Sequence, residues 1–302
     1  MNLDRYISED DLTGMVVPAK DFDCSQIKHH FLDVHYGCLP EQKLDIYLPD
    51  QMDGPLPLLI YVHGGGWMIG TKRLCFMDCI IDAIKYGYAV ISMDYRLAPA
   101  VCFPEFLYDV KTAIRWARAH AEDYGFDPEH IGIAGDSAGG NLALLAAFTA
   151  ENPKFEGEQY GWPDVSSAVQ AVCAMYAPSI LYGDDIAWFR ESGISPRTVP
   201  MAEGEDNLYE TVFGTKDTET LKSLSPINLV HENIPPVLLQ HGKLDSVVPC
   251  QHSVLLAERI EGICGPGRME LRLYPDRDHG DRQFIGEENC REVLTFFDRY
   301  LK

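Results

Sequence analysis

Apolar and polar positions alternate with a period of two along Phe31-Leu32-Asp33-Val34-His35-Tyr36 and again along Lys43-Leu44-Asp45-Ile46-Tyr47-Leu48. Gly37 and Pro40 lie between the two stretches, so the pattern predicts an antiparallel hairpin at a sheet edge. Further along, the run at 57–63 is continuously apolar, as a strand covered on both faces should be, and further strands read at 89–93, 131–134, 169–175, 236–241 and 269–274. Between them the spacing turns helical. Leu107, Val110, Ile114 and Ala117 mark one face of a helix over 106–124, which Gly125 and Pro128 end. Further helices are expected over 77–86, from Ser137 into an Ala/Leu-rich run, near 251–262 and over 287–301. Strands alternating with helices predict a mostly parallel, doubly wound sheet of eight strands with flanking helices, in a single α/β domain spanning 1–302.

One segment breaks this rhythm. Residues 179–224 hold no strand signal and many Gly, Pro and acidic residues, together with Tyr182, Trp188, Phe189, Tyr209 and Phe213. An interruption of that length in an α/β domain reads as a helical cap inserted over the site rather than a structureless loop. Residues 1–28 are polar and mixed, and are expected to form an arm or short helix over the active-site face.

Composition narrows the partners. A formal charge of -21 repels nucleic acid and anionic membrane alike, so neither is expected as a partner. The nine cysteines are scattered without a C-x-x-C pair, which points to thiols in a reducing cytoplasm rather than a disulfide framework. The acidic start lacks the apolar core of a signal peptide, and no run of 18 apolar residues is present, so no membrane span is expected. A homodimer is the default assembly for such a chain.

The chemistry centres on Gly135-Asp136-Ser137-Ala138-Gly139, which fits G-x-S-x-G between an apolar strand and a helix. A serine there sits on a sharp strand-to-helix turn with its hydroxyl above the sheet, and the helix N-terminus favours negative charge beside it. A serine hydroxyl needs a base, normally a histidine held by a carboxylate. In this architecture both follow the serine, the acid first, at the ends of later strands. Asp245 follows the 236–241 run and His279 follows the 269–274 run, which makes them the acid and the base. Asp276, Asp278 and Asp281 lie too close to His279 on one loop to reach its far nitrogen, and His241 reads as buried structure.

The developing oxyanion requires amide donors already in place. His63-Gly64-Gly65-Gly66-Trp67 follows the 57–63 run, so the Gly65 and Gly66 amides, with that of Ala138, are expected to form the hole. No Gly-Lys-Ser/Thr follows, which disfavours a phosphate loop, and no His/Cys cluster or H-E-x-x-H suggests a metal. His63 is expected to shape its loop, Asp136 to bond neighbouring loops, and Arg96 and Asp109 to fix loops. Trp67, Trp188 and Phe189 are candidate pocket walls.

Taken together, the HGGGW loop, Asp94-Tyr95-Arg96-Leu97-Ala98-Pro99 and the GDSAGG elbow resemble the hormone-sensitive-lipase-like esterases of the α/β-hydrolase superfamily. Ser225-Pro226-Ile227 and the stretch from Pro235 to Pro249 look closer to the feruloyl-esterase-like and acetyl-esterase branch. The resemblance implies an α/β-hydrolase fold and a serine carboxylesterase without cofactor, acting on small-molecule esters through an acyl-enzyme. By position it supports Ser137, Asp245, His279, Gly65, Gly66 and Ala138. Short acyl chains, acetylated sugars and feruloyl esters all fit this reading. The alternatives are an arylformamidase-like amide hydrolase and a non-catalytic ligand-binding protein on the same fold.

Overall fold

The computed structural model describes residues 23–74, 77–150, 152–183, 185–197 and 208–302. The chain opens with β1 (His29–His35), β2 (Lys43–Leu48) and β3 (Leu56–Val62), followed by the short helix α1 (Asp78–Ile81) and β4 (Ala89–Met93). Helices α2 (Glu105–Ala119) and α3 (Ala121–Tyr124) lead into β5 (Phe126–Asp136), α4 (Ser137–Phe148), α5 (Pro153–Glu156) and β6 (Ala171–Met175). Then come α6 (Asp185–Ser192), α7 (Leu208–Phe213) and α8 (Thr218–Leu224). The last elements are β7 (Val237–Gly242), α9 (Gln251–Cys264), β8 (Met269–Tyr274) and α10 (Glu287–Leu301).

The eight strands form one sheet in the order β1-β2-β4-β3-β5-β6-β7-β8. The β1–β2 hairpin forms one edge and joins β4 antiparallel, and every other pairing is parallel. Period two explains why β3 is apolar on both faces. Leu58, Ile60 and Val62 of β3 enter the core on one face, and Leu59 and Tyr61 enter the core on the other. Helix α4 is sandwiched between the sheet and α2, and every residue from Ala138 to Phe148 is buried, which is why its sequence is apolar all round. On the opposite face α10 approaches so closely that a Cβ at Gly132 would lie 2.7 Å from Phe297 and 2.9 Å from Leu301.

Two helices differ from their sequence reading. The expected 106–124 helix breaks at His120. Its Nδ1 lies 2.9 Å from the Trp116 carbonyl, which already accepts the His120 backbone N–H, and its ring stacks on Trp116. The 77–86 stretch is α-helical only over α1 and continues as a 3-10 helix, Asp82–Tyr86.

The reading of residues 1–28 as an arm over the site falls mostly outside the described residues. Ile27 and its neighbours lie beside Pro49, Asp50 and Gly87, at the edge where β4 begins. That is the far end of the sheet from Ser137. Residues 179–224 contain α6, α7 and α8, with no strand among the described residues. The Val212 carbonyl accepts the Phe103 N–H at 2.7 Å, and Phe213 packs edge-on against Trp67.

Candidate active site

Strand β5 ends at Asp136 and α4 begins at Ser137 with no loop between them, so the chain must reverse within one residue. Ser137 accordingly has φ 49°, a left-handed conformation that costs a non-glycine residue roughly 1–3 kcal/mol. The glycines make the turn sterically possible. A Cβ on Gly135 would lie 2.4 Å from the Gly139 carbonyl oxygen, and one on Gly139 only 2.1 Å from that of Val62.

His279 Nε2 is 3.0 Å from Ser137 Oγ, and its Nδ1 is 2.9 Å from Asp245 Oδ2. The three residues come from the ends of β5, β7 and β8, which are brought together by sheet order although far apart in sequence. With Nδ1–H donating to the carboxylate, Nε2 is left to accept the serine proton. Asp245 Oδ1 accepts the amides of Val247 at 2.9 Å and Val248 at 2.8 Å. Burial acts to raise the Asp245 carboxyl, but the neighbouring His279 charge and hydrogen bonds from His241 and His279 outweigh it, leaving the group well below the usual carboxylate range.

The sign of that shift has a measurable consequence. A carboxylate depressed by folding adds stability above its unfolded pKa, near 4, and loses that contribution as pH falls towards its folded value. Asp245→Asn has no such contribution to lose. The melting-temperature gap between wild type and Asp245→Asn is therefore expected to shrink from pH 6 to pH 3, which thermal melts across that range measure.

The glycine-rich loop is bound directly to the elbow. Asp136 Oδ1 accepts the Gly64 N–H at 2.9 Å and the Tyr61 hydroxyl at 2.6 Å. Burial raises the Asp136 carboxyl, opposed by the Tyr61 hydrogen bond. His63 Nδ1 is 2.7 Å from the Gly64 carbonyl, and its ring stacks on Tyr95. Burial pushes this imidazole down. Gly65 and Gly66 have φ 111° and 57°, and the Gly65 carbonyl accepts the amides of Met68 and Ile69. Ala138 lies in the first turn of α4, where amides have no partner within the helix. Arg96 spans Asp109 and Glu105, each at 2.9 Å.

The three aromatic candidates separate. Trp67 is buried in the main core, edge-on to Phe213, and Phe189 is likewise buried. Trp188 lines an open groove of about 490 Å³ with Ile180, Tyr182, Ile227 and Leu255. Neither Ser137 nor His279 lines that groove. The structure instead adds residues that the sequence reading left aside. Tyr176, buried with φ 40°, places its ring 4.8 Å from that of His279. Its position just past β6 was the available signal. His241, read as buried structure, is indeed buried, but its Nε2 lies 3.2 Å from Asp245 Oδ2. Among the described residues, no group of three or more His, Cys, Asp or Glu side chains is arranged to hold a metal ion, and no helix is long and apolar enough to cross a membrane.

The BD-FAE family model matches residues 44–260. The chain is 32% identical to the esterase LipC of Mycobacterium tuberculosis over 85% of its own length and 62% of the relative's. It is 26% identical to the isoprenylcysteine alpha-carbonyl methylesterase ICME of Arabidopsis thaliana, over 82% of this chain and 55% of that one. A truncated carbohydrate esterase from gut microbiota superposes with a TM-score of 0.78 at 26% identity, covering 93% of this chain and 99% of the other. The chain spans between half and 62% of the length of three curated mycobacterial relatives that it matches.

Proposed function

Because the chain belongs to the BD-FAE family and has the α/β-hydrolase fold, we propose that it is a serine carboxylesterase working through an acyl-enzyme. The observation that carries this reading is the hydrogen-bonded series from Ser137 through His279 to Asp245, at 3.0 and 2.9 Å, beside an elbow-bound glycine loop. Ser137 Oγ attacks the ester carbonyl carbon while His279 Nε2 takes its proton. Asp245 holds the imidazole tautomer and offsets the charge of the imidazolium. The amides of Gly65, Gly66 and Ala138 receive the oxyanion, each effective donor contributing about 3–4 kcal/mol to lowering the barrier. His279 then gives its proton to the departing alcohol, and water repeats the sequence to release the acid.

The substrates in this reading are esters with short acyl groups or esters carried on carbohydrate, acetyl and feruloyl types included. Support comes from the carbohydrate esterase likeness and from 30% identity to a versiconal hemiacetal acetate esterase of Dothistroma septosporum. Residues 179–224 are read as a cap on a single hydrolase domain. A cytoplasmic setting is supported by the seven free thiols among the described residues.

The test is direct. A fluorophosphonate is expected to label Ser137, identified by peptide mass. Turnover is expected to be highest on p-nitrophenyl acetate and butyrate within an acyl series that includes an acetylated xylo-oligosaccharide. A protein that neither labels nor turns over any ester would be a binding module. A preference for N-formylkynurenine over all esters would make it an amide hydrolase.

A further inference from the structure

One carboxylate next to the site gathers donors from three separate segments. Asp278 immediately precedes His279, and its Oδ1 accepts the His279 backbone N–H at 2.7 Å. The same oxygen accepts the backbone N–H of Ser246 at 2.8 Å and its hydroxyl at 2.9 Å. Ser246 immediately follows Asp245. The loop bearing the acid and the loop bearing the base are thus tied to each other through a group outside the triad. The third segment is the β6–β7 excursion. Arg197, a few residues beyond α6, forms an ion pair with Asp278 Oδ2 through its Nη2. Its Nη2 and Nε also donate to Ser246 Oγ at 3.0 and 3.2 Å, and its backbone N–H donates to the Ser246 carbonyl at 2.7 Å.

Nε and Nη2 of Arg197 carry all of these side-chain bonds, and its buried Nη1 has no partner among the described residues. The Ser246 hydroxyl has one proton, which goes to Asp278, and its lone pairs receive the guanidinium. Arg197 and Asp278 touch neither the Ser137 hydroxyl nor the His279 ring nitrogens in any of these contacts. Their reach is confined to the backbone and hydroxyl that flank the acid and base.

We propose that Arg197 and Asp278 are positioning residues: together with Ser246 they clamp the Asp245 loop to the His279 loop, and Arg197 makes that alignment depend on residues 179–224. The proposal rests on the serine-esterase reading. Partly exposed ion pairs add little to folding stability, so a merely structural role predicts little change in rate. An ångström of misalignment between reacting groups, by contrast, slows the chemical step by about a hundredfold.

The experiment measures kcat, KM, melting temperature and fluorophosphonate labelling rate for wild type, Arg197→Ala, Arg197→Lys and Asp278→Asn. Arg197→Ala is expected to lower kcat and the labelling rate together by about ten- to a hundredfold, with KM changed less than threefold. Millimolar guanidinium ion is expected to restore part of that rate. Arg197→Lys, which keeps the charge but not the two-pronged contact, is expected to fall between Ala and wild type, and it stands in if Arg197→Ala does not fold. Combining Arg197→Ala with Asp278→Asn is expected to cost less than the product of the single effects. Arg197 variants with kcat within twofold of wild type, or with KM raised and kcat unchanged, would overturn the proposal while leaving the esterase reading intact. An inactive, unlabelled wild type would overturn both.

Discussion

Ser137→Ala is expected to lower kcat on p-nitrophenyl acetate by about four to six orders of magnitude while the melting temperature stays within roughly a degree of wild type. The rate argument follows from the geometry: the only atom removed is the Oγ that lies 3.0 Å from His279 Nε2. Removing the nucleophile leaves the oxyanion donors in place, so a residual acceleration over water of roughly 10³–10⁴ is expected to persist. The stability argument follows from the backbone. Serine and alanine both carry a Cβ, so the penalty of φ 49° at this position is the same for either and cancels between the two proteins. Active-site titration with a fluorophosphonate guards against contaminating wild type, and turnover within tenfold of wild type would remove Ser137 from the reaction.

Gly139→Ala is expected to have the second-largest effect, through packing rather than chemistry. Its Cβ would sit 2.1 Å from the Val62 carbonyl oxygen and 2.4 Å from that of His63. Both are backbone atoms of a central strand and of the loop following it, so neither can rotate aside. Restoring contact distance requires α4 to withdraw from β3 by about an ångström, carrying Ser137 with it. Overpacking of this kind costs about 1–3 kcal/mol, and the displaced nucleophile is expected to lose about a hundredfold in kcat. Gly262→Ala provides the contrast. It lies within α9 with nothing within 4 Å of its would-be Cβ, so alanine there is expected to stabilise by about 0.4–1 kcal/mol. Thermal melts and single-turnover rates on the two variants separate the effects. A Gly139→Ala protein with wild-type kcat would show that the elbow tolerates the shift.

What could be read before the structure was what depends on local pattern. The six strand runs match β3 to β8: the unbroken signature at 57–63 belongs to β3, buried on both faces, whereas 269–274 alternates through Glu270 and Arg272 because β8 is an edge strand. Ser137 was visible because its turn demands glycines at fixed offsets. Asp245 and His279 were visible because each follows a strand, and strand ends gather at one edge of a parallel sheet. The remainder depends on which loops meet. Nothing in the neighbourhood of Arg197 along the chain points to Asp278 or Ser246, since the contact exists only once β7 and β8 lie side by side. His241 looked structural because its contact with Asp245 is made by a turn back across the strand end. Residue type and position in the inserted segment mark Trp188 as a pocket wall, and neither specifies which groove it lines. The break at His120 coincides with a ring nitrogen sharing the Trp116 carbonyl with the backbone N–H, a contact that helical periodicity does not register.

The bond from the Gly64 amide to Asp136 has one more consequence, for how ligands come and go. A retreat of the glycine-rich loop would strand a carboxylate in the interior with one donor fewer, at a cost of about 1–3 kcal/mol. A retreat of that loop is therefore disfavoured unless the base of the nucleophile moves with it. In the proposed esterase, passage of ester inward and of alcohol and acid outward would fall to the side of the β6–β7 excursion.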